Sequence, residues 1–236
     1  MLRTGCEKRR FVREKFASVA GSYDLLNSIL SLKIDSYWRF VTARELKGCG
    51  KGPVLDLCAG TLPLSKEIAK RRNDTVVAMD FCYEMLRCGA IRLKDRKKTG
   101  FIMPVCGDGE ELPLSEAVFS GITVAFGVRN LSRLEKGLGE MLRVLKPGGK
   151  LIILEFSRPK HPVFSKLYNF YLHKFLPYVG SLVSKDREAY RYLADSIQAF
   201  YEPDILVSMM HDAGFGDITY RPLTFGIVTL YTGIKR

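Results

Sequence analysis

No uncharged apolar run in these 236 residues approaches the ~18 that span a bilayer, so the sequence predicts no transmembrane helix. The opening stretch MLRTGCEKRRFVREKF lacks an apolar core, and no secretory signal is expected from it. The six cysteines (Cys6, Cys49, Cys58, Cys82, Cys88, Cys106) include no CxxC pair, so neither a zinc site nor a disulfide frame is expected. No metal of any kind is expected. Buried free thiols in a reducing cytosol are, with Cys58 and Cys106 in or beside strands. Acid is scarce too: 25 Asp and Glu face 37 Lys and Arg, a net charge of +12. Residues 157–185 contain no acid at all. That imbalance points to a polyanionic partner, nucleic acid or an anionic membrane surface, unless the charge serves solubility alone.

What is present is a soluble composition, 47% apolar, with enough chain for one large core or two small ones. The organising stretch is Val54–Leu64, VLDLCAGTLPL. An apolar run ends in an acid, a tight turn follows, and a helix begins, which is how α/β domains open a nucleotide site. Asp56 and Gly60 fit a D-x-x-x-G-x-G fingerprint, but Leu62 stands where the second glycine belongs. Pro63 suits the first helical position.

Along the chain, residues 8–20 place Phe11, Val12, Phe16 and Val19 near helical spacing among cations, an amphipathic helix that is a core-docked element, a lid or a surface anchor. Trp38 is expected in the core, or else lining a ring pocket with Tyr23 and Asp24. Strands are expected at 53–57, 75–79, 101–105, 119–126 and 150–156, with helices at 63–72 and 83–97 and from Ser132 to about Leu145. Pro104 confines the third strand to a sheet edge. Ser132 and Glu135 read as a capping box. Helices at 186–200 and 203–213 and strands at 217–222 and 225–234 complete the chain, the last two adding to the sheet in antiparallel fashion.

Strands alternating with helices argue a parallel, doubly wound sheet. Asp56, Gly60, Thr61, Asp80, Asp108, Arg129, Asn130 and Glu155 then gather at strand C-terminal ends, where such folds bind ligands. Asp80, about twenty residues past the first turn, sits where an acid binds ribose hydroxyls. Asp108 shares that crevice, near a base. In 157–185, cations alternate with Phe164, Tyr168, Phe170, Tyr171, Phe175 and Tyr178. That mix suits a membrane interface, single-stranded nucleic acid, or a helix closing a site.

The pieces FASVAGSYDLLN (16–27), VLDLCAGT (54–61), MDFCYEML (79–86), AFGVRN (125–130), EMLRVLKPGGKLIILEFSRP (140–159), YRYLADSI (190–197), MMHDAGF (209–215) and PLTFGIVTLYTGIK (222–235) resemble the ubiquinone/menaquinone-biosynthesis C-methyltransferases, the UbiE type of class I enzyme. The likeness runs from about Phe16 to the end. It implies a Rossmann-like α/β domain over 1–236. Its sheet would be seven-stranded and mostly parallel, with helices on both faces and an antiparallel C-terminal strand. A helical lid would lie near 8–45 and a helical acceptor or membrane insert near 157–200.

The resemblance implies methyl transfer from S-adenosyl-L-methionine, without metal, to a ring carbon of a prenylated hydroquinone, most simply demethylmenaquinol. Thr61, Asp80, Met85, Asp108, Gly109 and Ala125 carry over as cofactor contacts beside Asp56 and Gly60. The family's first turn reads D-x-A-G-G-T-G-D; here Ala59, Leu62 and Pro63 depart from it. A ring carbon becomes nucleophilic when its hydroxyl loses a proton, so Arg129 is assigned to the phenolate and Asp24, Tyr23 and Asn130 to orienting the ring or taking the proton. His173 is a weaker base; His161 and His211 read as surface residues. The implied enzyme is cytoplasmic, peripheral on an anionic membrane, and paired if it follows its relatives. Two other readings stand beside it: a nucleic-acid methyltransferase, which the missing base-methylation motif disfavours, and a non-catalytic relative with an altered cofactor loop.

Overall fold

A computed structural model describes residues 5–21, 23–24, 28, 31, 33–93, 101–172 and 187–236. The alternation of buried strands with amphipathic helices assembles into one sheet. Its strands are β1 (Val54–Leu57), β2 (Val76–Asp80), β3 (Ile102–Cys106), β4 (Phe119–Ala125), β5 (Leu145–Phe156), β6 (Phe215–Leu223) and β7 (Val228–Lys235), in the order β3-β2-β1-β4-β5-β7-β6. The first five are parallel, and β7 runs antiparallel between β5 and β6. The doubly wound expectation therefore holds, with Pro104 on the edge strand β3 as its missing donor requires.

Eight α-helices are described: α1 (Gly5–Val19), α2 (Ile34–Arg44), α3 (Pro63–Ala69), α4 (Tyr83–Ile91), α5 (Leu134–Val144), α6 (Pro162–Phe170), α7 (Arg187–Ala199) and α8 (Pro203–Asp212). The pleat sends alternate strand residues to opposite faces. Leu55, Leu57, Leu151 and Ile153 join Leu138 and Met141 of α5 and Leu206 and Met210 of α8 in one core. Val54, Ile152 and Leu154 meet Trp38 and Val41 of α2 and Leu64 and Ile68 of α3 in the other. Leu138 and Met141 are fully buried, each stabilising by ~1.5–3 kcal/mol relative to exposure. Trp38 is a core residue, donating to Thr224 Oγ1 at 2.8 Å.

Four expectations are corrected. The Ser132 capping box does not form: α5 has no side-chain cap, and Ser132 Oγ instead donates to the Gly5 carbonyl at 3.2 Å. Glu110, from outside the helix, accepts the Ser132 and Arg133 amides at 2.5 and 3.1 Å. The turn KPGG lies inside β5 as a register slip, between Phe119↔Leu145 and Gly121↔Lys150, with Gly148 at φ 74°. Cys106 is exposed because β3 is an edge, although all five described cysteines are free. Helix α4 ends at Ile91, short of 97. The cations Lys94, Arg96, Lys97 and Lys98 lie outside the described residues, as do His173, Lys174, Phe175, Tyr178 and Lys185.

Candidate active site

The turn after β1 folds back sharply because Cys58, Gly60 and Leu62 all take left-handed backbone angles, φ 56°, 54° and 68°. Asp80, at the tip of β2, fastens that turn: its carboxylate accepts the Gly60 and Cys82 amides, each at 2.8 Å. Burial pushes the Asp80 carboxyl up to about 6, and the amides pull against that shift. A carboxylate has about four acceptor positions, so about two remain for ribose hydroxyls. Asp56 lies below the turn. Its two oxygens take the Ser65 hydroxyl at 2.5 Å and the Thr123 hydroxyl at 2.9 Å, and burial raises it also to about 6. Its observed work is to brace β1 against α3 and β4.

Beside the turn runs a crevice lined by Leu57, Cys58, Asp80, Gly107, Asp108, Gly109, Gly127 and Asn130 among others. Its walls are close. A Cβ on Gly127 would stand 2.3 Å from Cys58 Cβ, and one on Gly107 2.9 Å from Met79 Sδ. Met85 is buried, with its Cε 3.3 Å from where a Gly60 Cβ would be. Ala125 ends β4 opposite Leu154 and does not line the crevice. Leu62 points away from the crevice, into a small core with Ala59, Ala78 and Leu86. A flat heterocycle with a hydroxylated sugar fits this donor set: backbone amides and glycines for close approach, two acids for hydroxyl and amine hydrogens.

Helix α1 reaches over the crevice. Arg9 pairs with Asp108 at 3.0 Å and Glu110 at 2.5 Å. Lys8 Nζ donates to the Arg129 and Leu131 carbonyls at 3.1 and 2.7 Å, and burial lowers its pKa. Burial opposes the Glu110 charge, but Arg9, Arg133 and two amides hold its carboxyl below the usual range.

Arg129 stands in a 3₁₀ turn, Val128–Asn130, past β4. It is buried. Its Nη1 donates to Glu155 Oε1 at 2.7 Å and to the Phe126 carbonyl at 2.6 Å, and its amide to Glu155 Oε2 at 3.2 Å. Its guanidinium lies 5.3 Å over the Phe156 ring. Burial works against the Arg129 charge, and Glu155 together with Tyr23 and Tyr192 outweighs it, so the group is held above its ordinary value. Asn130 Oδ1 accepts the Tyr192 hydroxyl at 3.0 Å. Tyr23 also acts on the Arg129 charge and packs edge-on to Phe16 at 5.8 Å.

Of Tyr23, Arg129 and Asn130, Asn130 lines the crevice; Arg129 is buried beside it in the chain, and Tyr23 is near enough to act on its charge. Asp24 turns to the first loop: Thr61 Oγ1 donates to its Oδ1, and Arg92 pairs with its Oδ2. His161 and His211 are exposed. Arg9, Glu110 and Tyr192 carry no functional expectation from the sequence, and Tyr168 carries one only as part of the aromatic segment 157–185. Glu110 in DGE and Tyr192 in YRYLADSI carried a signal by lying inside or beside motif segments, but only the packing of α1 and α7 shows what they touch.

The ubiE/COQ5 methyltransferase family model matches residues 3–235. The chain is 42% identical over 231 residues to the ubiquinone/menaquinone biosynthesis C-methyltransferase UbiE of Geobacter sp. strain M21, covering 97% of this chain and 98% of that one. Among solved structures it is similar to a SAM-dependent methyltransferase of Thermotoga maritima, with TM-score 0.64 and 16% identity over 94% of this chain and 99% of that one. It is also similar in fold to a Haemonchus contortus N-methyltransferase solved with S-adenosylhomocysteine, with TM-score 0.60 and 14% identity over 86% of this chain and 57% of that one.

Proposed function

The chain belongs to the ubiE/COQ5 methyltransferase family, and from that premise we propose that it methylates a ring carbon of a prenylated hydroquinone, demethylmenaquinol first among these. It is a SAM-dependent methyltransferase by family. S-adenosyl-L-methionine, when bound, supplies an activated methyl group. Asp80 and the glycine turn would hold its ribose and backbone, and Asp108 and Gly109 its base.

The observation that carries the acceptor reading is Arg129. It is a buried, permanently charged group fixed by Glu155, next in the chain to Asn130, which lines the crevice. An oxyanion forming on the ring gains most from a preorganised cation in a low-dielectric site. Arg129 stays charged and takes no proton; it lowers the cost of the phenolate. Asn130, locked by Tyr192, and Tyr23 orient the ring. Asp24, which contacts Thr61 and Arg92, is our candidate among these groups to receive the ring proton.

A membrane source for the substrate is supported by α6. Val163, Leu167 and Phe170 are exposed at helical spacing, while Lys160 and Lys166 supply charge. Phe225 is 72% exposed and stacks on Phe164 at 4.7 Å, which widens the patch. Among the described residues no helix is long and apolar enough to cross a membrane. We propose peripheral docking through this patch on the cytoplasmic face.

The test offers labelled S-adenosyl-L-methionine with demethylmenaquinol in anionic vesicles, or with total RNA. Label in the quinol is expected. Label in RNA alone overturns the reading in favour of a nucleic-acid enzyme, and absence of cofactor binding overturns it in favour of a non-catalytic relative.

A further inference from the structure

Burying a polar atom without a partner costs free energy, so native proteins leave few such atoms, and a functional role is one reason they persist. Three buried side-chain atoms among the described residues have none: Arg72 Nε, Arg129 Nε and Tyr168 Oη. Arg72 is far from the site and is otherwise held by the Leu46 and Gly50 carbonyls and by Asp74. The other two share one neighbourhood. Arg129 lies over the Phe156 ring, and Phe156 packs against the small core that contains Tyr168, Leu172, Ala194 and Ile197.

Tyr168 is the buried residue of α6, whose other face carries the exposed Val163, Leu167 and Phe170. Burial raises the Tyr168 hydroxyl well above the ordinary phenol value, and Arg129 pulls only weakly against that. The hydroxyl therefore keeps its proton at neutral pH and acts as a donor.

We propose that Tyr168 Oη and Arg129 Nε form a two-donor site for the ring oxygen of the aromatic acceptor. This rests on the quinol reading above. Arg129 brings charge, and Tyr168 brings a neutral O–H from the helix that faces the membrane patch. The site would select an acceptor oxygen that gains negative charge, since both groups donate and neither accepts a proton. It also makes α6 a two-sided element, with an apolar outer face and one hydroxyl directed inward.

The test is Tyr168→Phe, which keeps the ring and removes one oxygen. The readouts are turnover of short-chain demethylmenaquinol, its pH–rate profile, S-adenosyl-L-methionine affinity and Tm. Turnover is expected to fall at least tenfold, with cofactor affinity within twofold. The rising limb of the profile should move to higher pH, because losing a donor raises the pKa of the ring hydroxyl. Tm should be equal or higher, since an unpartnered buried hydroxyl is gone; a packing role would not produce lower activity with undiminished stability. Wild-type turnover with an unmoved profile overturns the proposal. If the wild-type protein methylates no quinol, the functional reading fails and the oxygen site is judged by binding. A Tm rise with 1,4-naphthalenediol in wild type but not in Tyr168→Phe supports it, and equal rises overturn it.

Discussion

Leu62 holds φ 68° in the first turn, a conformation that costs a side chain ~1–2 kcal/mol. Its burial among Ala59, Ala78 and Leu86 outweighs this, because truncating a buried Leu costs ~2–5 kcal/mol. Leu62→Gly is therefore expected to lower stability by about 2 kcal/mol, by urea titration, with S-adenosyl-L-methionine affinity unchanged. The sequence showed the missing glycine but not where the side chain goes. That direction depends on Gly89, whose Cβ would meet Leu62 Cγ at 2.6 Å and the Thr61 carbonyl carbon at 2.7 Å. The two buried acids titrate with opposite consequences. Asp80 must be ionised to accept ribose hydroxyls, so cofactor affinity is expected to fall about tenfold between pH 7 and pH 5, measured by calorimetry. Asp56 is raised from its unfolded value of 3.8 to about 6, so between those values the folded state binds more protons than the unfolded. Its contribution to stability therefore rises as pH falls. Wild type should gain on Asp56→Asn in urea midpoint from pH 7 to pH 4. Arg129→Ala is expected to cost about 3–5 kcal/mol, because it strands Glu155, whose side chain is 0% exposed, inside the fold. Its loss of turnover must therefore be read against Tm.

At the scale of elements, hydrophobic period and turn residues marked most helices and strands. They failed where a distant side chain does local work. Ser132 and Glu135 have the spacing of a capping box, yet Glu110 supplies the cap from across the crevice and ties α1 to the same carboxylate. No window of sequence contains that contact. Glu110→Ala removes partners from two amides and from Arg9. It is expected to destabilise by about 2–3 kcal/mol and to expose α1 to protease before the remaining chain, as limited proteolysis would show.

Across the whole molecule, the alternation of strands and helices and the edge proline made the sheet legible, and strand C-terminal ends made the crevice legible. The position of 157–170 was not legible, because aromatics between cations fit a core or a surface equally well. Their sorting follows from the face of α6 that carries Tyr168, which packs with Ala194 and Ile197 of α7 and with Phe156 of β5. Changing Leu167 and Phe170, each 63% exposed, to Ser is expected to leave Tm unchanged. Affinity for anionic vesicles, measured by co-sedimentation, should fall at least tenfold, since ~1.4 kcal/mol of lost insertion suffices. Two basic side chains in the first turns of α1 hold it to the crevice wall, Lys8 on backbone carbonyls and Arg9 on acids. In terms of ionic strength, these contacts fall into an exposed ion pair that salt weakens and sheltered ones that it weakens less. Arg9 and Asp108 are 30% and 35% exposed, so added salt screens their pair, whereas the Arg9 contact with the buried Glu110 is screened less. The half-buried Lys8 contacts, made to neutral carbonyls, are the part of this hold that salt touches least.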